Sequence, residues 1–127
     1  MGPDATLEWA RSAPRPETGW RLVPMHDTQL AQVLDIEKRA YAFPWTEGIF
    51  RDCLKSGYSA WIVQDGGGAM LGYAVMSMAV GEAHVLNLAV DPQLRRIGLA
   101  RYLLTHLLQI ARAAHSTIVL LEVRRSN

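Results

Sequence analysis

A single cysteine, Cys53, stands among the 127 residues. That scarcity excludes a disulfide within the chain and any cysteine-built zinc site, and it suits a reducing compartment. An excess of charge of one sign is also missing, since 13 Lys and Arg face 12 Asp and Glu for a formal net charge of +1. No global field exists to draw in nucleic acid or an anionic membrane, so any anion site must be local, which directs attention to clustered arginines. No apolar run reaches the about 18 residues that cross a bilayer, and the N-terminus lacks the charged-then-apolar layout of a secretion signal. The expectation is a cytoplasmic protein with neither membrane nor nucleic-acid partners. His26, His84, His106 and His115 show no metal-ligand spacing, so no metal is expected. A triphosphate loop of the form G-x-x-x-x-G-K-S/T is absent, as is a G-x-G-x-x-G turn after a strand, which removes two large nucleotide-binding classes. With half its residues hydrophobic, the chain is long enough for one domain with a real core, and too short for two.

Residues 1–18 hold Pro3, Pro14 and Pro16 without apolar periodicity and are expected to form a disordered or loosely packed arm, leaving 19–127 as the folded domain. Trp20-Arg21-Leu22-Val23 alternates like a strand, and Asp27 is placed to cap a helix carrying Leu30, Val33, Leu34 and Tyr41 on one face. Pro44 stops it. Thr46 can cap a second helix, with Trp45 and Phe50 at the staple positions and Gly57 at its end. Cys53 shares a face there with Ile49, Phe50 and Leu54, which favours a packed thiol over a nucleophile. Strand-like runs at 58–64 and 70–79, joined by Asp65-Gly66-Gly67-Gly68, predict a hairpin, and 83–90 predicts a third strand after the Gly81-Glu82 turn. Ala100, Leu103, Leu104, Leu107, Ala111 and Ala114 form one helical stripe. The near-continuous apolar run 118–123 predicts a strand buried on both faces and parallel to its neighbour. The fold class is α+β, a three-layer arrangement with a mixed, mostly antiparallel sheet flanked by helices.

Between the third strand and that last helix lies Arg95-Arg96-Ile97-Gly98-Leu99-Ala100-Arg101. The first amides of a helix lack partners within it and carry about half a positive charge, so they attract phosphate. Arg95, Arg96 and Arg101 would reinforce that field, while Gly98 and Ala100 keep the backbone approachable. A strand-to-helix loop with a solvated basic edge fits the same spacing equally well.

The stretch resembles the Q/R-x-x-G-x-G/A acyl-CoA motif of the GNAT superfamily of N-acetyltransferases. Together with "AYAFPWTEGIF", "LNLAVDPQLRRIGLARYLL" and "LEVRRSN", it is similar to the ribosomal-protein-alanine N-acetyltransferases of the RimI type. The resemblance implies acetyl-CoA as co-substrate and the N-terminal peptide of a ribosomal protein as acceptor. It also implies roles for particular residues. The backbone of Leu88, Ala89 and Val90 would pair with the pantetheine arm. The pyrophosphate would sit on the amides of Arg96, Ile97, Gly98, Leu99, Ala100 and Arg101, with Arg95 also binding the cofactor, and Asn127 would contact it. Phe43, Pro44 and Trp45 would line the peptide groove. Glu122, at the end of the last strand, matches the family's general base; taken from its spacing alone, a pairing with Arg124 explains it as well. The family's thiol-protonating tyrosine and a further strand pair find no match after Asn127, and Tyr41, Tyr58, Tyr73 and Tyr102 do not occupy that place. The resemblance therefore implies a chain without the family's C-terminal part, weakly active or inactive alone, or self-associating through the exposed strand edge. Two other functions remain open at this level: acetylation of a lysine or small-molecule amine, and coenzyme A binding without catalysis.

Overall fold

The structure is a computed structural model and describes residues 19–121. Within them, five strands lie in chain order in one sheet: β1 (Arg21–Pro24), β2 (Ser59–Gln64), β3 (Met70–Ala79), β4 (Glu82–Val90) and β5 (Ile118–Leu121). The first four pair antiparallel, and β5 joins β4 in parallel, as the strand-helix-strand pattern predicted. The helices are α1 (Leu30–Ala40), α2 (Glu47–Lys55) and α3 (Leu99–Ala113). The expected arm at 1–18 lies outside the described residues.

Alternation along β3 builds the three layers. Tyr73 and Val75 join the core beneath α1 and α2, whereas Ala74 and Met76 join the core beneath α3. Every residue from Leu71 to Met76 is buried, because both faces of this strand are covered. The same was expected of 118–123, and here the structure corrects the sequence reading. Ile118, Leu120 and Leu121 are 53%, 42% and 50% exposed, since β5 lies at the edge of the described sheet. The central strand carries the double burial instead. Residues 122 and 123 lie outside the described residues.

Local chemistry explains the helix ends. Thr46 Oγ1 accepts the Ile49 amide at 3.3 Å, and Trp45 packs edge-on against Phe50 with ring centroids 5.1 Å apart, so cap and staple both form. At the far end the Tyr58 and Gly57 amides donate to the Cys53 and Leu54 carbonyls, both at 3.1 Å, the Schellman pattern. Asp27 does not cap α1. It lies inside a 3-10 turn, Asp27–Gln29, which the Gln29 side chain closes by accepting the His26 amide at 2.7 Å. Tyr41 is likewise not on the helical face but just beyond it, in extended conformation. In α3 the buried stripe is Leu99, Leu103, Leu107 and Ala111; Ala100 and Ala114 are exposed, because the helix is rotated so that Leu99 enters the core.

One irregularity positions everything that follows. Met76 pairs with Val85, but Val75 pairs with Asn87, so Leu86 is an extra residue, a bulge in β4. Before it, Ala83 and Val85 face α3; after it, Ala89 faces α1 while Leu88 and Val90 face α3. The bulge thus reverses the facing of the strand's last residues. Further along the same pair of strands, Gly72 on β3 touches β4 so closely that an added Cβ would stand 2.6 Å from the Ala89 carbonyl oxygen and 3.2 Å from the Val90 Cα. Gly72→Ala is expected to push the end of β4 outward and to cost about 1–3 kcal/mol in urea unfolding. Wild-type stability in that variant would show that β3 and β4 do not approach this closely.

Candidate active site

Beyond β4 the chain turns through a 3-10 segment, Pro92–Leu94, whose geometry Asp91 sets by accepting the Gln93 amide at 3.0 Å. Arg96 then adopts a φ of +69° and Gly98 a φ of +90°, and Gly98 is the N-cap of α3. Two left-handed residues bend the loop back over the helix end. Gly98 has no side chain to spend on the first-turn amides, and the helix starts without a side-chain cap. A cavity of about 450 Å³ opens there, lined by Val90, Leu94 and residues 95–101. Arg95, Arg96 and Arg101 are exposed at it, while Leu99 is buried and anchors the helix to the core. A positive helix end with three arginines about an open hollow suits a polyanionic group such as a pyrophosphate.

The structure thus gathers Val90, Arg95, Arg96, Ile97, Gly98, Leu99, Ala100 and Arg101 around one hollow. Leu88 and Ala89 lie just upstream in β4 and do not line it: Ala89 is packed towards α1, and the Leu88 carbonyl accepts the Tyr41 hydroxyl at 2.5 Å. Phe43 and Pro44 are exposed on the loop between α1 and α2, Phe43 at 89%, with Trp45 half-buried behind them. Glu122 and Asn127 lie outside the described residues. Cys53 is buried, and burial, with a smaller contribution from Asp52, pushes its thiol above the usual range, so it packs rather than reacts. Among the described residues no group of three or more His, Cys, Asp or Glu could hold a metal ion. His106 Nδ1 lies 2.8 Å from the Tyr102 carbonyl within α3.

The end of α1 grips the end of β4. Arg39 donates to both Asp91 carboxylate oxygens, at 2.8 and 3.1 Å, a two-pronged pair. Hydrogen bonding to Arg39 holds the Asp91 carboxyl below the usual carboxylate range, against a smaller opposing effect of burial. Sequence reasoning missed both this pair and Glu37. The Glu37 side chain is fully buried; its Oε1 accepts the Tyr73 hydroxyl at 2.6 Å and Asn87 Nδ2 at 3.0 Å, and its Oε2 accepts the Trp45 amide at 2.8 Å. A signal was present. Glu37 lies four residues after Val33 and three before Ala40, on the buried face of α1, where a carboxyl group demands partners.

The sequence pattern of the Acetyltransferase (GNAT) family matches residues 30–127. The chain belongs to that family. It is 36% identical over 103 residues to the ribosomal protein bS18 alanine N-acetyltransferase of Escherichia coli strain K12, a match covering 81% of this chain and 69% of that protein. The crystal structure of the ribosomal-protein-S18-alanine N-acetyltransferase from Escherichia coli superposes with a TM-score of 0.77 at 34% identity, covering 86% of this chain and 70% of that one. Ard1 from Thermoplasma volcanium superposes with a TM-score of 0.74 at 23% identity, over 83% of this chain and 72% of that one, a likeness of fold. This GNAT protein is accordingly an acetyl-CoA-dependent N-acetyltransferase. No helix among the described residues is long and apolar enough to cross a membrane.

The Asp91 pair predicts a pH dependence for the GNAT domain. A carboxyl whose native pKa is depressed contributes stability in full above its unfolded value of about 3.9 and loses that contribution as pH falls below it. Asp91→Asn is therefore expected to melt at a lower temperature than wild type at pH 7, with the gap closing progressively below about pH 4. A gap of constant size across that range in thermal melts would contradict the pairing.

Proposed function

We propose that this enzyme acetylates the N-terminal alanine of a ribosomal protein, the acceptor its curated relatives are named for. One observation carries the cofactor half of the reading: the hollow over the uncapped N-terminus of α3 is lined by all seven residues of the arginine-glycine stretch. The acceptor half rests on the 36% identity to the bS18 alanine enzyme.

Bound acetyl-CoA supplies an acetyl thioester, an activated acyl group with a thiol as leaving group. The chain's own residues divide the remaining work. Amides of residues 96–101 hold the pyrophosphate, with Arg95, Arg96 and Arg101 neutralising it. Backbone groups of Leu88, Ala89 and Val90 present a strand edge to the pantetheine arm, and Asn127 adds a contact. Phe43, Pro44 and Trp45 line the acceptor groove. Glu122 takes the proton from the attacking amine, directly or through water, and transfer proceeds without a covalent acyl-enzyme. The choice of an α-amine is chemically economical, because its ordinary pKa of about 7.7–8.0 lies far below the about 10.4 of lysine and a single carboxylate suffices.

The test pairs two measurements. With acetyl-CoA and an alanine-initiated peptide, mass spectrometry is expected to find one acetyl group on the α-amine, and none on the same peptide with a blocked N-terminus. Acetylation of a lysine in the blocked peptide, or of neither, would overturn the acceptor assignment. Glu122→Gln is expected to lower kcat by ~10²–10⁴ while coenzyme A affinity by calorimetry stays within about twofold. Unchanged kcat would remove Glu122 from the chemistry.

A further inference from the structure

We infer that Glu37 is a positioning residue that locks the acceptor-side loop to the donor-side strand. Three elements converge on its carboxyl group: the Trp45 amide from the loop, the Tyr73 hydroxyl from β3 and the Asn87 amide from β4. Trp45 follows Phe43 and Pro44 directly, and its amide precedes the Thr46 cap of α2. Asn87 precedes Leu88 directly, three residues before Val90 enters the hollow. Both oxygens are used, one on each side of the site: Oε2 takes the loop, and Oε1 takes the sheet.

The surroundings argue against a packing role. Val33, Ile36, Ala40, Phe50 and Ile62 make this core apolar, and an aliphatic side chain at position 37 would fill the same volume without burying a carboxyl group. A carboxyl group is required only if something must be held in place. The bulge serves the same end, because without the extra residue at Leu86 strand alternation would turn Asn87 towards α3 and away from Glu37. Of two further contacts from the same end of α1, Arg39 holds Asp91 from the helix itself, and Tyr41, the first residue of the loop, donates to the Leu88 carbonyl. Glu37 ties down the far end of that loop, at Trp45.

Its action is through the loop and not on the reacting atoms, and this separates it from a catalytic base. The inference rests on the reading of Phe43, Pro44 and Trp45 as the acceptor groove. Two variants test it. Glu37→Leu keeps the volume and strips the acceptors, whereas Glu37→Gln retains one oxygen for Trp45, since the Tyr73 hydroxyl and the Asn87 amide can both turn to accept. In Glu37→Leu, amide hydrogen exchange at Trp45 is expected to speed up about tenfold or more while core amides of β2 and β3 keep their protection. The same variant is expected to raise KM for the alanine-initiated peptide about tenfold, with coenzyme A affinity within about twofold of wild type, and Glu37→Gln to restore both. A folded Glu37→Leu with wild-type peptide KM and a protected Trp45 amide would overturn the inference. So would a Glu37→Gln enzyme whose peptide KM stays as high as that of Glu37→Leu. Should Glu37→Leu fail to fold, Asn87→Ala decides: it cuts the strand side alone and is expected to raise peptide KM about tenfold with Trp45 still protected, and an unchanged KM overturns the inference. If the wild-type protein acetylates no peptide, the proposed acceptor falls, and exchange at Trp45 still judges the lock by itself.

Discussion

The extra residue at Leu86 is the constraint on which the site depends. Strand β4 begins with Ala83 and Val85 turned towards α3 and ends with Ala89 turned towards α1, a reversal that only an unpaired residue can bring about in a ladder of period two. The reversal has a consequence at each face. On one side it delivers Asn87 to a buried carboxyl group on α1. On the other it sends Leu88 and Val90 towards α3, whose N-terminus opens the hollow lined by the arginine-glycine stretch.

A site built on such an irregular strand needs external support, and α1 provides it. Its last turn and the residue beyond carry Glu37, Arg39 and Tyr41, which reach Asn87, Asp91 and the Leu88 carbonyl in turn. These are polar contacts of fixed geometry in a region where the central sheet is otherwise held by apolar packing. Apolar packing sets distance and is tolerant of direction, whereas a two-pronged Arg39–Asp91 pair and a carboxyl group with three donors specify orientation. The core-facing residues of α1 therefore serve two different ends. Leu30, Val33, Ile36 and Ala40 hold the helix on the sheet, and Glu37 aims what lies beneath it.

The hollow itself is made from backbone more than from side chains. Left-handed conformations at Arg96 and Gly98 fold the loop over the helix end, and Gly98 leaves the first-turn amides uncapped. Such a site tolerates varied side chains provided the amides remain accessible, which accounts for the apolar Ile97 in the cavity wall.

Much of this was legible in the residues. Apolar periods of two and 3.6, the Thr46 cap with its Trp45–Phe50 staple, the glycine hairpin and the arginine-glycine turn are local signals, encoded within a few residues of one another, and each element formed where it was read, although Tyr41, Ala100 and Ala114 fell off the helical faces assigned to them. The signals that failed were those whose meaning depends on distant partners. An apolar run at 118–121 looks the same in a central strand as at an edge, and coverage, which decides between them, comes from other segments. Asp27 does not cap α1 because it lies inside the 3-10 turn that the Gln29 side chain closes. Glu37 is marked as buried by its place on the apolar face of α1, but nothing local says what it holds, since Tyr73 and Asn87 lie 36 and 50 positions away. The chain thus wrote its own elements and its arginine-glycine turn in short-range chemistry. Folding in three dimensions alone decided the bulge, the grip of α1 on β4 and the partners of the buried carboxyl group, because hydrogen bonds between remote residues leave no periodic trace along the chain.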